Sequence, residues 1–161
     1  SENVAELSVK IAEEMELTQK RIDDIYWAGL VHDIGKMLIP LEILNKDGKL
    51  TDSEYEAIKE HPVLGSNALG SSKVLKHIAK FVRYHHEHWD GNGYPEGLKA
   101  KEIPLESRIL SAADAWDAMR SKRTYRKPLT FNHALAELKD NRGKQFDPKV
   151  VDALLNILKK D

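Results

Sequence analysis

The chain reads LVHDIGK at residues 30–36, where a segment with helical patterning ends in an adjacent histidine and aspartate. Ile22, Ile25 and Gly29 precede this pair at helical spacing, on or near the face that carries His32. A polar side chain on an inward-facing stripe is costly unless it is paired or bound. The stretch therefore indicates a helical protein with a polar site at its core.

Apolar residues recur at helical spacing along nearly the whole chain. Thr18, Thr51 and Thr130 are each expected to cap a helix, and Asp147–Pro148 is expected to begin the last one. No alternating apolar and polar run persists for six residues, so strands are not expected. We predict an all-α fold, a compact single-domain helical bundle that covers residues 1–161.

Residues 87–104 break the helical pattern with three glycines and two prolines. A long irregular segment inside a compact domain is often functional. It contains the run DGNGYP at 90–95, in which the glycines permit unusual backbone angles and Pro95 stiffens the path. Tyr94 would either stack or hydrogen-bond near a ligand, or anchor the loop to the core. We predict a shaped loop beside a functional site.

Composition excludes several classes of function. The net charge of −1 provides no general attraction for nucleic acids or anionic membranes, and no apolar run approaches the ~20 residues that a membrane helix needs. The absence of cysteine excludes disulfides, thiolate metal sites and cysteine nucleophiles, and it suits the cytoplasm. The chain begins without methionine inside an apparent helix, so we expect a C-terminal fragment of a longer protein. An anionic ligand would need a local site, which favours a metal.

Six residues are candidate metal ligands. They are His32, Asp33, His61, His85, His86 and Asp114. Imidazole with carboxylate suits Fe, Mn, Zn, Co or Ni, and an aspartate can bridge two ions that together hydrolyse a phosphate ester. The alternative is a set of separate surface or core histidines, but His32, His85 and Asp114 lie on apolar stripes where unpaired burial is costly. The remaining histidines, at 77, 88 and 133, are assigned to surface or packing roles.

A set of motifs along the chain resembles the HD-GYP family. In chain order they are LVHDIGK at 30–36, Ile39–Pro40, His61–Pro62, HHE at 85–87, DGNGYPEGL at 90–98, Arg108–Ile109, ADAWDA at 113–118, TYR at 124–126 and GKQFDP at 143–148. They cover nearly the whole chain, in order and at ordinary spacing. The complete Gly-Tyr-Pro run is more specific than the His-Asp pair alone.

The resemblance implies an HD-type helical domain that hydrolyses cyclic di-GMP to linear pGpG, GMP or both. By motif match, the six candidates are metal ligands, Asp33 is the bridging carboxylate, and Lys36 faces the scissile phosphate. We expect in-line attack by a metal-bridging hydroxide on two divalent ions, Fe or Mn. The family also places a ligand histidine just before Ser1, and some members hold a third metal through residues further upstream.

Substrate contacts are predicted at Lys36, Tyr94, Arg123 and Arg126. The arginines would suit guanine edges or phosphates. The alternative for them is a solvated basic loop, and the alternative for Lys36 is an exposed lysine with no role in binding. Predicted partners are cyclic di-GMP, an N-terminal sensor or receiver domain, and other signalling domains at the Gly-Tyr-Pro loop, with no nucleic acid polymer. Two alternatives remain: an HD-type hydrolase of another cyclic dinucleotide or nucleotide, and a non-catalytic cyclic di-GMP binding module.

Overall fold

The structure, a computed structural model, describes residues 1–123 and 126–161. Its α-helices are α1 (Glu2–Glu14), α2 (Gln19–Val31), α3 (Leu41–Leu44), α4 (Asp52–Lys59), α5 (His61–Gly70), α6 (Ala79–Arg83), α7 (Leu105–Arg120), α8 (Phe131–Asp140) and α9 (Pro148–Lys160). Short 3₁₀ turns lie at Ile34–Leu38, Lys76–Ile78 and Ala100–Glu102. In the described ranges, β pairing is confined to two isolated bridges. The predicted all-α fold is confirmed.

The predicted helix starts are confirmed by side-chain caps. The Thr18 side chain accepts from a backbone N–H at the start of α2, and Thr130 does the same for α8. Thr51 and Glu54 form a reciprocal capping box at the start of α4. Asp147 caps α9, which has a proline in its first turn. These short-range contacts explain why the helices begin where the sequence suggests.

Helix α7 lies between two apolar clusters. The larger cluster joins α1, α2, α7, α8 and α9, and it includes the buried side chains of Ile11, Ile109 and Leu154. The smaller one joins α2, α5, α6 and α7 around Ile78 and Leu110. None of the helices in the described ranges combines the length and the apolar composition that crossing a bilayer requires. Because α7 packs into both clusters, its position relative to the other helices is fixed on two sides.

Candidate metal centre

The six predicted ligands lie together although they come from four segments of the chain. His32 and Asp33 follow α2, His61 begins α5, His85 and His86 follow α6, and Asp114 lies within α7. They form two groups, and within each group the potential ligand atoms lie within 4.8 Å of one another. One group is His61, His85 and His86, and the other is His32, Asp33 and Asp114. The convergence predicted from the sequence is present.

Asp33 lies between the two groups. Its Oδ1 atom is 3.3 Å from Nε2 of His61, and its Oδ2 atom is 3.2 Å from Nε2 of His32. Asp114 approaches the same His32 nitrogen from α7, with Oδ1 at 3.4 Å. Each oxygen of the Asp33 carboxylate therefore faces a different group, as a bridging ligand requires.

Three of the histidines are oriented by the same backbone contact. In His32, His61 and His85, the Nδ1 atom lies 2.6, 2.8 and 2.5 Å from the carbonyl oxygen three residues earlier. The three accepting carbonyls lie in the last turns of α2, α4 and α6, where carbonyl groups lack partners within the helix. Because Nδ1 donates to the carbonyl, Nε2 is the nitrogen directed into the centre, which is the arrangement typical of metal ligands.

Several polar atoms at the centre are buried and make no hydrogen bond in the described residues, although groups of opposite charge lie within 3.4 Å of some of them. They are Nε2 of His32, His61 and His85, and Oδ1 of Asp33. A buried polar atom left unpaired costs about 1–3 kcal/mol, and a shared metal removes that cost. Imidazole and carboxylate donors suit Fe, Mn, Zn, Co or Ni. These residues therefore fit divalent metal ions.

The charges of the metal-free centre follow from burial and contact. Burial lowers the pKa of His85 to about 4, so this ligand is neutral at pH 7. Burial also acts to lower the pKa of His32, but Asp114 and Asp33 outweigh it and raise the pKa to about 10. Burial would raise the pKa of Asp114, but contact with His32 prevails and lowers it to about 2. Asp33 likewise has a lowered pKa, because His32 and His61 outweigh its burial. Without metal, a proton on His32 holds the two carboxylates together.

Lys36 lies at the edge of the centre, one turn after Asp33. Its Nζ atom is 3.2 Å from Oδ2 of Asp33, and the lysine side chain is 38% exposed, so it can reach a ligand from solvent.

Gly35 allows the 3₁₀ turn that carries Lys36 to approach α5 closely. A Cβ atom there would lie 1.9 Å from the carbonyl oxygen of His61 and 2.7 Å from the backbone nitrogen of Gly65. Only glycine lets the 3₁₀ turn pack this closely against α5.

The Gly-Tyr-Pro loop packs against the centre through Tyr94. The Tyr94 ring stacks on the His86 ring, with 5.1 Å between centroids and 20° between planes, and its backbone N–H donates to the His86 carbonyl. Burial raises the pKa of Tyr94 above its usual range. The loop is therefore anchored at Tyr94, next to a candidate ligand. A contact between Tyr94 and substrate stays a prediction.

Sequence reasoning assigned no role to Glu87, which holds this loop in place. Its buried carboxylate accepts from the backbone N–H groups of Glu96 at 2.7 Å and Leu98 at 3.0 Å. Gly93 lies so close to the preceding segment that a Cβ atom would meet the backbone nitrogen of His88 at 2.3 Å. The only signal in the sequence is an acidic residue directly after the His85–His86 pair and before a glycine-rich run.

The two arginines predicted to contact substrate lie after the end of α7. Arg123 and Arg126 are exposed and bond to each other through their backbones, and the Arg126 side chain donates to the Ala118 carbonyl at 3.0 Å. The part of their motif at 124–125 lies outside the described residues. In the described residues, neither arginine side chain forms a hydrogen bond or ion pair with a candidate ligand, and the contact of both with substrate stays a prediction.

The three histidines assigned to other roles lie outside both groups of ligand atoms. His77 contacts Asp24 at 2.9 Å on the surface, His88 is half-buried, and His133 is exposed on α8. This agrees with the surface or packing roles predicted for them.

Known proteins resemble this chain in sequence over almost its whole length. The protein family described as HD domain matches residues 1–150. The "Cyclic di-GMP phosphodiesterase" of Thermotoga maritima is 42% identical over 161 residues, covering 99% of this chain and 44% of the relative. The "Cyclic di-GMP phosphodiesterase response regulator RpfG" of Xanthomonas campestris is 41% identical over 156 residues, covering 96% and 41%. The "3'3'-cGAMP-specific phosphodiesterase 2" of Vibrio cholerae is 40% identical over 141 residues, covering 86% and 27%. The chain thus spans less than half the length of these relatives.

Solved structures share the fold. A cyclic GMP-AMP specific phosphodiesterase from Vibrio cholerae superposes with a TM-score of 0.76 at 21% identity, covering 98% of this chain and 43% of that structure. An HDG"Y"P protein from Bdellovibrio bacteriovorus superposes with a TM-score of 0.77 at 24% identity, covering 98% and 51%. At these identities the likeness supports the helical architecture alone.

Proposed function

The chain belongs to the HD domain family, in its HD-GYP branch, and we propose that it is the catalytic domain of a metal-dependent cyclic di-GMP phosphodiesterase. The observation that carries this proposal is the position of Asp33, whose two carboxylate oxygens face two separate groups of ligand atoms. The names of the relatives from Thermotoga and Xanthomonas support the choice of substrate. The proposed products are linear pGpG, GMP or both.

The two groups would hold two divalent ions, for which we propose Fe or Mn. His61, His85 and His86 would hold one ion, and His32 and Asp114 the other, with Asp33 shared. Bound metals would supply the Lewis acidity and the activated water that hydrolysis of a phosphodiester needs. A third ion, held by residues preceding Ser1, stays a prediction.

Lys36 is proposed to bind the scissile phosphate. Its ammonium group, 3.2 Å from Asp33, adds positive charge beside the metal ligands, where the anionic phosphate would otherwise repel an incoming nucleophile. A lysine acts on phosphate as a point charge with several donors. Tyr94, Arg123 and Arg126 are proposed as further substrate contacts. For the wider protein, the upstream sensor or receiver domain, the contacts of the loop with other domains and the cytoplasmic location stay predictions.

A second candidate substrate is 3'3'-cGAMP. The Vibrio cholerae relative specific for this dinucleotide is 40% identical to the chain, nearly as similar as the cyclic di-GMP enzymes. Both dinucleotides present the same phosphodiester to the metal centre and differ in one base. The arrangement of the candidate ligands suits either dinucleotide, so measured turnover must decide between the two substrates.

The test replaces Asp33 with asparagine, which keeps the shape and removes the bridging charge. We expect wild-type protein reconstituted anaerobically with Mn²⁺ or Fe²⁺ to bind two ions and to hydrolyse cyclic di-GMP faster than 3'3'-cGAMP. Asp33→Asn should lose metal together with at least ~10²-fold in turnover, because even partners outside the ligand shell are worth ~10–100-fold. The matched control is Asp23→Asn on the exposed face of α2, which should change neither quantity.

The outcomes separate the alternatives. Preferential cleavage of 3'3'-cGAMP would change the substrate and keep the enzyme class. Binding of cyclic di-GMP by metal-loaded protein without cleavage would identify a non-catalytic module. Full metal content and activity in Asp33→Asn would exclude the bridging role of this carboxylate.

A further inference from the structure

His86 is held differently from the other histidines of the centre. His32, His61 and His85 are each oriented by a hydrogen bond to a backbone carbonyl, whereas the described part of the chain provides no hydrogen bond to the His86 ring. Its ring instead contacts other rings: Tyr94 at 5.1 Å and 20°, His61 at 5.0 Å and 83°, and His85 at 4.1 Å and 43° between centroids and planes. Packing therefore sets its orientation.

Tyr94 is suited to this role because its backbone is tied to the segment that carries His86. Its N–H donates to the His86 carbonyl at 3.2 Å, and a Cβ atom on Gly93 would lie 2.5 Å from the same oxygen. Beyond Tyr94, the Glu87 carboxylate accepts from the backbone N–H groups at 96 and 98. The Tyr94 ring is thus presented to His86 by a loop that is anchored on both sides.

The ammonium group of Lys59 lies over the Tyr94 ring. Its Nζ atom is 5.1 Å from the Tyr94 centroid and 5.7 Å from that of Tyr55, one turn earlier on α4. The competing ion pair with Glu56, at 3.3 Å, involves a carboxylate that is 68% exposed and therefore contributes little. A cation over an aromatic face attracts the ring within about 6 Å. Because α4 ends at Lys59, two residues before His61, this contact ties the loop to the segment that leads into another ligand.

We propose that Tyr94 and Lys59 are positioning residues of the metal centre: the Tyr94 ring orients the His86 imidazole by stacking, and the Lys59 ammonium holds that ring. The inference rests on the proposed function only in requiring that His61, His85 and His86 hold a metal. The ring of Tyr94 performs this role and its hydroxyl does not. Loss of the ring weakens the group that contains His86 and spares the group formed by His32, Asp33 and Asp114.

The first test compares Tyr94→Phe with Tyr94→Leu in the whole chain. Calorimetric titration with Mn²⁺ should show two unchanged sites in Tyr94→Phe. In Tyr94→Leu, one site should weaken by ~10–100-fold, the range found for partners that orient ligands, while the other is retained. A second readout is the ¹⁵N NMR spectrum of the histidine rings with Zn²⁺, in which Tyr94→Leu should shift or broaden one ring that carries no Nδ1 hydrogen bond.

The second test changes Lys59 and leaves Tyr94 in place. Lys59→Met removes the charge and keeps the aliphatic stem, so the same site should weaken by about 2–5-fold, while Lys59→Arg should restore the affinity. Lys80→Met is the matched control, since Lys80 lies over the Phe81 ring at 5.4 Å on α6 and outside the metal centre. It should leave both sites unchanged. This pair of variants also tests the inference if Tyr94→Leu fails to fold.

Some results would overturn the inference. Equal weakening by Tyr94→Phe and Tyr94→Leu would assign the effect to the hydroxyl. Two unchanged metal sites in Tyr94→Leu would show that His86 needs no stacking partner. Failure of the proposed function is distinguishable: wild-type protein that binds two ions but hydrolyses no cyclic dinucleotide would refute the activity and leave the positioning roles standing.

Discussion

At the scale of single residues, the charge of the metal centre depends on His32, which lies between Asp33 and Asp114. Burial works against a charged imidazole, yet the two carboxylates raise the pKa of His32 to about 10. For metal-free protein, this raised pKa stabilises the fold below pH 6.5, and the contribution is lost as the pH rises toward about 10. A metal ligand must release this proton, so metal binding competes with protonation.

We predict that metal binding at pH 7 releases about one proton per chain, because His32 alone among the shifted ligands is protonated there. The pKa of His85 is about 4 and that of Asp114 about 2, so both are already deprotonated. Affinity should therefore rise with pH from 7 toward about 10. Titration calorimetry in two buffers of different ionisation enthalpy measures the release. Asp114→Asn removes one carboxylate from His32 and should reduce the proton release, whereas two bound ions without proton release would contradict the prediction.

At the scale of elements, the centre depends on how closely the 3₁₀ turn after α2 approaches α5. The turn carries Asp33 at its start and Lys36 within it, and α5 carries His61 at its first residue. Gly35 faces backbone atoms of α5, which cannot rotate away as a flexible side chain can. A methyl group at this position therefore separates the two elements.

We expect Gly35→Ala to lower the free energy of unfolding by ~1–3 kcal/mol, the usual cost of overpacking, and to reduce metal affinity by displacing Asp33 from His61. Gly70→Ala is the matched control at the end of α5, where an added Cβ meets nothing within 4 Å. It should leave stability unchanged or raise it by up to ~1 kcal/mol. Urea denaturation and metal titration measure both effects. Equal behaviour of the two variants would show that the approach at Gly35 does not constrain the centre.

At the scale of the whole molecule, a buried ion pair joins α7 to the start of α9. Nη1 of Arg108 lies 2.7 Å from Oδ2 of Asp147, whose side chain is 2% exposed, and the Arg108 Nε donates to the Ile103 carbonyl. The turn before α9 also bonds to the loop that holds the metal centre, since Trp89 N–H donates to the Gln145 carbonyl. The C-terminal helix and the loop are thus joined through one region.

Asp147→Asn should destabilise the protein by ~3–5 kcal/mol, because the Arg108 charge would stay buried without its partner. Asparagine still caps a helix, so the loss reports the ion pair and not the start of α9. The control is Asp152→Asn, which breaks the exposed pair with Arg142 and should cost under ~1 kcal/mol. The midpoints of urea denaturation compare the two. A similar small shift in both variants would mean that the buried pair contributes no more than the exposed one.

The amino-acid sequence alone is sufficient to predict the all-α class and several helix starts, and to identify the candidate ligands. The caps at Thr18, Thr51 and Asp147 depend on neighbours within three residues, so local sequence specifies them. The helical spacing of the apolar residues likewise depends on local sequence, and it predicts the all-α class. His32 and His85 were recognised because each is polar on an apolar stripe, and both are buried.

Only the tertiary structure decided how the ligands divide into two groups, with one oxygen of Asp33 facing each. It also revealed that the Glu87 carboxylate holds the Gly-Tyr-Pro loop in place. Lys59 and Tyr94, which the structure brings into contact, are separated by 35 positions in the sequence. The roles of Arg123 and Arg126 stay predictions because local charge does not specify distance from a site. Spacing along the chain determines which residues share a helix face, whereas distances between helices depend on how their apolar faces and close-packed glycines fit together.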